Sequence, residues 1–318
     1  MTQEVATPRV PAADRVDGSQ PSTEGLLTPA STGRRMRDQA ATIGVSAAFV
    51  VALIPLVWVL WTVISRGAHT IGNATWWTHS QNGMTYRKSG GGAYHAIVGS
   101  VLQVVVCSLI AVPLALLTAI YLVEYGKGKG RLANSVAFMV DVLTGIPSIV
   151  AALFIYALFI TTLGMQRQGF AVSLALVLLM IPVVVRTTEE MLKLVPNELR
   201  EASLALGVPQ WKTIVRIVIP TALPGIITGI MLGIARVIGE TAPLLILVGY
   251  SKATNTDLFS GFQGSLPTMI VNEATNYTLP ASADRVWGAA LTLILIVLAL
   301  SIGARLVARF TGVAAKKK

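Results

Sequence analysis

The sequence predicts an all-α fold of the polytopic membrane class. Of its 318 residues, 53% are hydrophobic and only 13% are charged, and the mean hydropathy is +0.68. These values lie far outside the range of soluble globular domains. The apolar residues are gathered into six long runs, each of which can cross about 30 Å of hydrocarbon as a helix. We therefore expect six transmembrane helices.

The predicted elements follow in chain order. Residues 1–33 are rich in Pro, Ser, Thr, Asp and Ala and contain no apolar run, so they predict a disordered tail and not a signal peptide. The membrane domain is expected at 34–315, with apolar runs at about 41–64, 94–123, 133–163, 170–190, 223–249 and 286–308. The two longest runs are expected to tilt or to protrude from the bilayer.

The positions of lysine and arginine predict the orientation, because cytoplasmic segments are enriched in these residues. With the N-terminus inside, 18 of the 25 basic residues lie in cytoplasmic segments, six lie in outer loops, and Arg236 lies within a run. We therefore expect a multi-pass protein of the cell membrane, with both termini and the polar segment 196–220 in the cytoplasm. The outer loops at about 65–93 and 250–285 would face a soluble partner or solvent.

Charge and cysteine content exclude several classes of function. The net charge is +10 and the pI is near 10.0, but the basic residues flank apolar runs and are not interleaved with aromatic residues, so no nucleic-acid partner is expected. The single cysteine, Cys107, lies within an apolar run and indicates neither a disulfide nor a metal site, and no cofactor is expected. The chain also lacks the pattern G-x-x-x-x-G-K-[S/T] of nucleotide-binding loops, so any ATP must be bound by another subunit.

The polar segment 196–220 predicts two short helices joined by a sharp bend. Pro196 and Pro209 suit the first position of a helix, and Gly207 can end the first helix in the left-handed conformation. The apolar residues form two narrow faces, Leu199, Ala202 and Leu206 on the first helix and Trp211, Ile214, Val215 and Val218 on the second. Each face is too narrow to form a core by itself, which suggests either a docking element or an amphipathic linker at the membrane surface.

Two ionisable residues lie within the fifth run, where charges are costly and therefore indicate function. Arg236 and Glu240 are four residues apart, which predicts one helical face shared with a stripe of small residues, Gly225, Gly229 and Gly233. This face would meet protein or a water-filled path, with Arg236 as a transient anion contact and Glu240 balancing its charge when the path is empty. The alternative is a structural ion pair that locks two helices together.

Two further positions suggest a polar path. Asp141, Thr144 and Ser148 are expected on nearly the same face of the third run, where they could contact a permeating oxyanion or another helix. Arg186 lies at the end of the fourth run. Its guanidinium could line the path or extend to the lipid headgroups.

Two sequence patterns carry a resemblance to a known family. Glu201-Ala202-Ser203, Gly207 and Ile217-Val218-Ile219-Pro220 resemble the EAA loop of ABC-importer permeases, with Ser203 in place of the third Ala and Ile219 in place of Leu. The segment IARVIGETAPLLILVG, the segment IPVVVRTTEEMLKLVPNELREASLALG and residues 145–150 resemble the PstA-type permeases of the phosphate-specific ABC importer. The resemblance covers about residues 90–310.

The resemblance implies a chain that is not itself an enzyme. Its partners would be a paralogous permease similar to PstC, a cytoplasmic ATPase dimer similar to PstB, and an extracytoplasmic phosphate-binding protein similar to PstS. The EAA segment would dock on the ATPase through Glu201, Ala202, Ser203, Gly207, Ile217 and Pro220. Phosphate would cross by alternating access.

Other functions remain open from the sequence. The substrate could be another oxyanion, such as sulfate or phosphonate. The chain could also act as a phosphate-sensing scaffold that signals to a membrane kinase. An ion-coupled secondary transporter or a channel is disfavoured by the EAA spacing.

Overall fold

The computed structural model describes residues 32–126 and 130–316. These residues are mostly helical and include no strand, which confirms the all-α prediction. The predicted disordered tail, residues 1–33, lies outside the described residues except for Thr32 and Gly33, which begin the first helix. The helices are α1 (Thr32–Ile71), α2 (Ala74–Thr78), α3 (Tyr94–Ile120), α4 (Arg131–Gly145), α5 (Ser148–Ile155), α6 (Gly169–Lys193), α7 (Asn197–Ala205), α8 (Gln210–Thr213), α9 (Ile219–Val237), α10 (Ala242–Leu247), α11 (Leu266–Ala274) and α12 (Pro280–Lys316). π-Helical turns follow α3 (Tyr121–Gly126), α5 (Tyr156–Thr162) and α8 (Ile214–Val218).

Five helical segments in the described part of the chain are long and apolar enough to cross a membrane: Met36–Ile71, Tyr94–Gly126, Gly169–Lys193, Gln210–Val237 and Pro280–Arg309. The third predicted run is bent, because α4 and the helical segment Ser148–Thr162 meet at 108°. Ile146, between them, is extended with ψ 124°, as expected for a residue that precedes a proline. Counted as one span, the bent pair brings the total to six.

The chain divides into two compact units, Met1–Trp58 and Val59–Lys318. The described part of the first unit is the N-terminal portion of α1, which remains helical through Pro55. The second unit contains the remainder of α1 and all later helices. All the candidate site residues lie in the second unit.

The core of the second unit is built around α6. In the most apolar 18-residue stretch of this helix, 67% of the residues are buried. α3 contributes small, fully buried side chains to this core, among them Ala111 and Ala115. Cys107 is also fully buried, and its sulfur lies 3.7 Å from the Met180 sulfur on α6. Cys107 is thus a small packing residue between α3 and α6.

α9 packs on α6 through the glycine stripe predicted from the sequence. A Cβ atom on Gly225 would lie 2.2 Å from the Met191 sulfur, and one on Gly229 would lie 2.4 Å from Thr187 Oγ1. Larger residues would push the helices apart, because neither contact leaves room for a methyl group. The stripe, which continues at the buried Gly233, is therefore a helix-packing face.

A buried ionic cluster lies at the end of the bundle opposite α7. Arg285 Nη1 lies 3.4 Å from Glu273 Oε2, and both side chains are almost completely buried. The Arg285 Nε also donates to the Gly90 carbonyl at 3.0 Å, which ties α12 to the segment before α3. Burial and, to a smaller extent, the Glu273 carboxylate raise the pKa of the nearby Tyr250. The cluster joins α11, α12 and two connecting segments.

Candidate functional site

α7 and α8 form the two short helices predicted at 196–220. Gly207 has φ +77°, which confirms the predicted left-handed residue at the bend. The Gly207 amide donates to the Leu204 carbonyl at 2.9 Å and the Val208 amide donates to the Ser203 carbonyl at 3.2 Å. These paired bonds form a Schellman motif, which satisfies the last carbonyl groups of α7. Local sequence chemistry therefore determines the bend.

The two prolines lie one residue earlier than predicted. Pro196 and Pro209 are the N-cap residues of α7 and α8, with extended ψ values of 139° and 148°, and not the first helical residues. Their missing N–H groups still leave no helical hydrogen bond unmade, because the first turn of a helix has no internal acceptors.

Ser203, which departs from the EAA pattern, has a specific partner. Its hydroxyl lies 2.8 Å from the Thr213 hydroxyl on α8, and both side chains are buried. A buried hydroxyl without a partner would be costly, so the two residues satisfy each other. The pair joins α7 to α8 across the bend.

The hairpin of α7 and α8 presents large apolar side chains to the exterior. Leu199, Ala202 and Leu206 are all exposed, and the exposed fraction of Leu206 is 83%. We call the large exposed apolar residues of α7, α8 and the π-helical turn after α8 the coupling surface: Leu199, Leu204, Leu206, Trp211 and Val215. Exposed apolar residues gathered on a polar element are typical of a protein interaction site.

The stripe predicted on the second helix is split. Trp211 and Val215 are exposed, whereas Ile214 and Val218 are 3% and 0% exposed. The reason is the π-helical turn at Ile214–Val218, in which residues do not follow the α-helical period of 3.6 that the prediction assumed.

The other predicted coupling residues lie along the same element. Glu201 and Ala202 are exposed on α7, Ile217 is partly buried, and Pro220 is exposed in the first turn of α9. Glu201 also lines a cavity of about 500 Å³ between α7, α8 and the end of α3.

A contact missed by the sequence reasoning attaches α7 to α3. Arg200, on α7, donates from Nη2 to Glu124 Oε1 at 2.8 Å and from Nε at 3.2 Å. Glu124 lies in the π-helical turn after α3, and only 6% of its side chain is exposed. Gln210, at the start of α8, donates to the Glu124 carbonyl at 2.9 Å. The only sequence signal was an acidic residue at the end of an apolar run.

Arg186 and Asp141, both predicted path residues, are brought together. The Arg186 guanidinium forms an ion pair with Asp141 on α4, and its Nη1 donates to Glu189 Oε2 at 2.8 Å. Glu189 is buried, and Lys193 Nζ lies 3.7 Å from the same carboxylate oxygen. These four charges balance one another and link α4 to α6.

Ser148 does not share a helical face with Asp141, contrary to the prediction, whereas Thr144 lies three residues after Asp141 on the same face of α4. The Thr144 hydroxyl donates to the Val140 carbonyl at 2.9 Å, within α4. Ser148 is the first residue of α5, beyond the 108° bend, because Pro147 interrupts the helix. The polar stripe is therefore divided between two helices.

The predicted face shared by Arg236 and Glu240 is also wrong. α9 ends at Val237, so Glu240 lies in the following connection and not four residues further along the helix. Gly239, together with Pro243 near the start of α10, interrupts the helix. Within the described residues neither charge forms an ion pair. Arg236 is exposed, at the margin of the stripe that packs on α6.

Comparisons with known proteins decide the family. Residues 111–312 match the model of the family described as binding-protein-dependent transport system inner membrane component. Over 290 residues the chain is 56% identical to the phosphate transport system permease protein PstA 1 of Mycobacterium tuberculosis (strain CDC 1551 / Oshkosh), covering 91% of this chain and 94% of that protein. The chain belongs to the PstA permease family.

A second relative supports the same family, and one solved structure supports the fold. The PstA permease of Mycobacterium leprae is 56% identical over 277 residues, covering 87% of this chain and 90% of that protein. The crystal structure of a bacterial alginate ABC transporter, bound to its periplasmic protein, matches with a TM-score of 0.63 at 15% identity, covering 87% of this chain and 96% of that chain. This second match concerns the fold alone. The chain is thus a multi-pass membrane protein and a permease subunit of an ABC transport system.

Proposed function

We propose that this permease carries phosphate and forms half of the translocation path of an ATP-driven importer. The observation that carries the proposal is the coupling surface, an exposed apolar patch on a hairpin whose sequence follows the EAA pattern. The substrate assignment is supported by the names of the relatives in M. tuberculosis and M. leprae, which are phosphate transport system permeases.

The proposed system contains several other subunits. A paralogous permease supplies the other half of the path, a cytoplasmic ATPase dimer binds the coupling surface, and an extracytoplasmic phosphate-binding protein delivers the ion. ATP hydrolysis belongs to the ATPase, since this sequence contains no nucleotide-binding loop pattern. When the ATPase dimer closes, it moves α7 and α8 of each permease and so changes the side to which the path is open.

The proposed orientation places the coupling surface and both termini in the cytoplasm. The excess of lysine and arginine in the segments on that side supports it. A reporter that is active only outside the cytoplasm should be active when fused at Asn255 and silent when fused at Lys318. The reverse pattern would place the coupling surface on the wrong side for an ATPase.

Arg236 is the proposed phosphate contact in the path. Its guanidinium is exposed and unpaired within the described residues, so an oxyanion could approach it without displacing a carboxylate. A planar guanidinium can donate two parallel hydrogen bonds to a phosphate. Glu240, close by in the chain, would limit the strength of binding through repulsion. Arg186, Asp141, Thr144 and Ser148 would contribute to the path near the α4–α5 bend.

Uptake by a defined strain tests the proposal. The chain is expressed with its own ATPase, paralogous permease and binding protein in cells that lack their endogenous phosphate importers. Uptake of labelled phosphate, sulfate and a phosphonate is then compared. We expect ATP-dependent uptake of phosphate only. Uptake of sulfate or the phosphonate in place of phosphate would assign another oxyanion, and altered phosphate signalling without uptake would indicate a sensing scaffold.

A further inference from the structure

Every N–H group of the Arg200 guanidinium donates a hydrogen bond. A guanidinium has five N–H groups, and all of them have acceptors here. Nε and Nη2 donate to Glu124, Nη2 also donates to the Leu192 carbonyl at 2.9 Å, and Nη1 donates to the Val195 carbonyl at 2.6 Å and to Asn197 Oδ1 at 3.3 Å. Arg200 therefore binds the end of α3 and the end of α6 at the same time.

α7 has few other attachments to the bundle. Of its nine residues, Ser203 alone is buried, and Ser203 contacts Thr213 on α8. The chain connections on either side of α7 are short, and the connection from α7 to α8 contains the Gly207 bend. The position of α7 relative to α3 therefore depends on the contact between Arg200 and Glu124, with the bond from Gln210 to the Glu124 carbonyl beside it.

The π-helical turn explains how Glu124 reaches this position. A π turn closes i to i+5 hydrogen bonds and holds one residue more than an α turn, so it rotates the residues that follow it relative to a regular helix. π turns are rare and are frequent at functional sites. Tyr121–Gly126 adopts this form, and within it the Glu124 carboxylate is buried against the base of α7.

A buried ion pair contributes little net stability, because the cost of removing two charges from water offsets their attraction. What it does provide is a defined geometry, since the donors and acceptors match in one arrangement only. The ion pair of Arg200 and Glu124 therefore fixes the position of α7 relative to α3 more than it adds to the free energy of unfolding.

We propose that Glu124 and Arg200 are positioning residues that transmit the movement of α7 to α3. When the ATPase displaces the coupling surface, the pair makes the end of α3 move with α7, and α3 in turn carries α6, against which it packs. This inference rests on the proposed function, because it requires an ATPase bound at the coupling surface. It assigns no contact with phosphate to either residue.

The first experiment measures coupling in the complete transporter, reconstituted in vesicles with the ATPase, the paralogous permease and the binding protein. ATP hydrolysis and phosphate uptake are measured together in the double variant Glu124→Met, Arg200→Met, which removes both charges and leaves no lone buried ion. We expect the complex to assemble and hydrolyse ATP, with the phosphate taken up per ATP reduced severalfold. The matched control is Glu198→Gln, which removes an exposed carboxylate from the same helix and should leave the ratio unchanged.

The outcomes separate this inference from the proposed function. A double variant with the wild-type ratio of uptake to hydrolysis would show a purely structural pair, and a double variant that no longer binds the ATPase would make the pair a docking element. Either result overturns the inference. A wild-type complex that hydrolyses ATP but takes up no phosphate would instead overturn the proposed function.

A second measurement uses the intact pair and does not depend on the folding of the variant. Spin labels are placed at Leu117→Cys on α3 and Glu198→Cys on α7, two exposed positions, in a Cys107→Ala background. The distance distribution between the labels should be the same in the nucleotide-free and ATP-bound complexes, because the pair moves the two helices together. A different distribution in the two states would show that α7 moves independently of α3.

Discussion

The hydroxyl groups of Ser203 and Thr213 lie 2.8 Å apart, buried at the junction of α7 and α8. Ser203 stands where the EAA pattern of the family has an alanine. The departure from the pattern is thus matched by a hydrogen-bond partner ten residues further along the chain.

This pairing predicts a specific pattern of stability changes. Ser203→Ala should destabilise the protein by about 1–3 kcal/mol, because it leaves the buried Thr213 hydroxyl with only a long bond to the Pro209 carbonyl at 3.5 Å. The double variant Ser203→Ala, Thr213→Val should recover most of that loss, since neither polar group remains. Thermal unfolding in detergent measures both. Equal losses in the single and double variants would contradict the pairing.

Replacing Gly207 by a β-branched residue should impair the coupling of the ATPase to phosphate uptake. Its φ of +77° is strained for residues with a side chain, and most of all for β-branched residues. Gly207→Val should therefore distort the bend, abolish uptake and reduce co-purification with the ATPase, while membrane insertion is retained. Gly207→Asn is the matched control, because asparagine tolerates the left-handed region, and it should keep most of the activity. Normal uptake by the valine variant would remove the hairpin from its assigned role.

Substitution of Arg236 should reduce phosphate transport without preventing assembly of the transporter. Arg236→Gln should abolish phosphate uptake and leave ATPase association intact, and Arg236→Lys should retain part of the uptake, because lysine lacks the planar pair of donors. Since Arg236 and Glu240 form no ion pair here, the exchange Arg236→Glu, Glu240→Arg should not restore transport. Full uptake by the exchanged protein would favour a structural pair formed in another state of the transporter.

The buried cluster around Glu273 predicts a large stability change. Arg285→Ala should cost about 3–5 kcal/mol, because it leaves the Glu273 carboxylate buried without its closest cation. Arg285→Met combined with Glu273→Leu should cost less, since no carboxylate is then buried without its closest cation, and Lys252 keeps its contacts with the Met84 carbonyl and the Tyr86 ring. The temperature of unfolding in detergent measures the difference. A single variant as stable as the double variant would mean that Lys252, 3.6 Å from Glu273, compensates fully.

The sequence by itself determined the features that depend on local chemistry. The apolar runs define the membrane segments because crossing hydrocarbon requires about 20 consecutive apolar residues whatever their neighbours are. The bend at Gly207 was predictable because a left-handed residue strongly favours glycine. Family membership was also readable, since EAA spacing and the segment around Arg236 are linear patterns.

Helix ends were decided by the tertiary structure. Pro113, Pro182 and Pro224 all lie inside continuous helices, whereas Pro147 and Pro243 accompany breaks. A proline in a helix interior removes one hydrogen bond, and whether the helix continues past it depends on the packing of the neighbouring segments. The predicted positions of Ser148 and Glu240 were wrong for this reason. The prediction assumed a continuous helix through each run, and hydropathy does not reveal the breaks.

Long-range pairing was likewise decided by the tertiary structure alone. Glu124 and Arg200 are 76 residues apart, and Asp141 and Arg186 are 45 apart. No periodic pattern specifies such pairs, because each side chain is placed by the packing of its own helix and the contact exists only once α3, α4, α6 and α7 have assembled. The sequence thus determined that this chain spans a membrane and carries two short helices joined by a bend, and packing determined which charges hold α7 to α3 and α6.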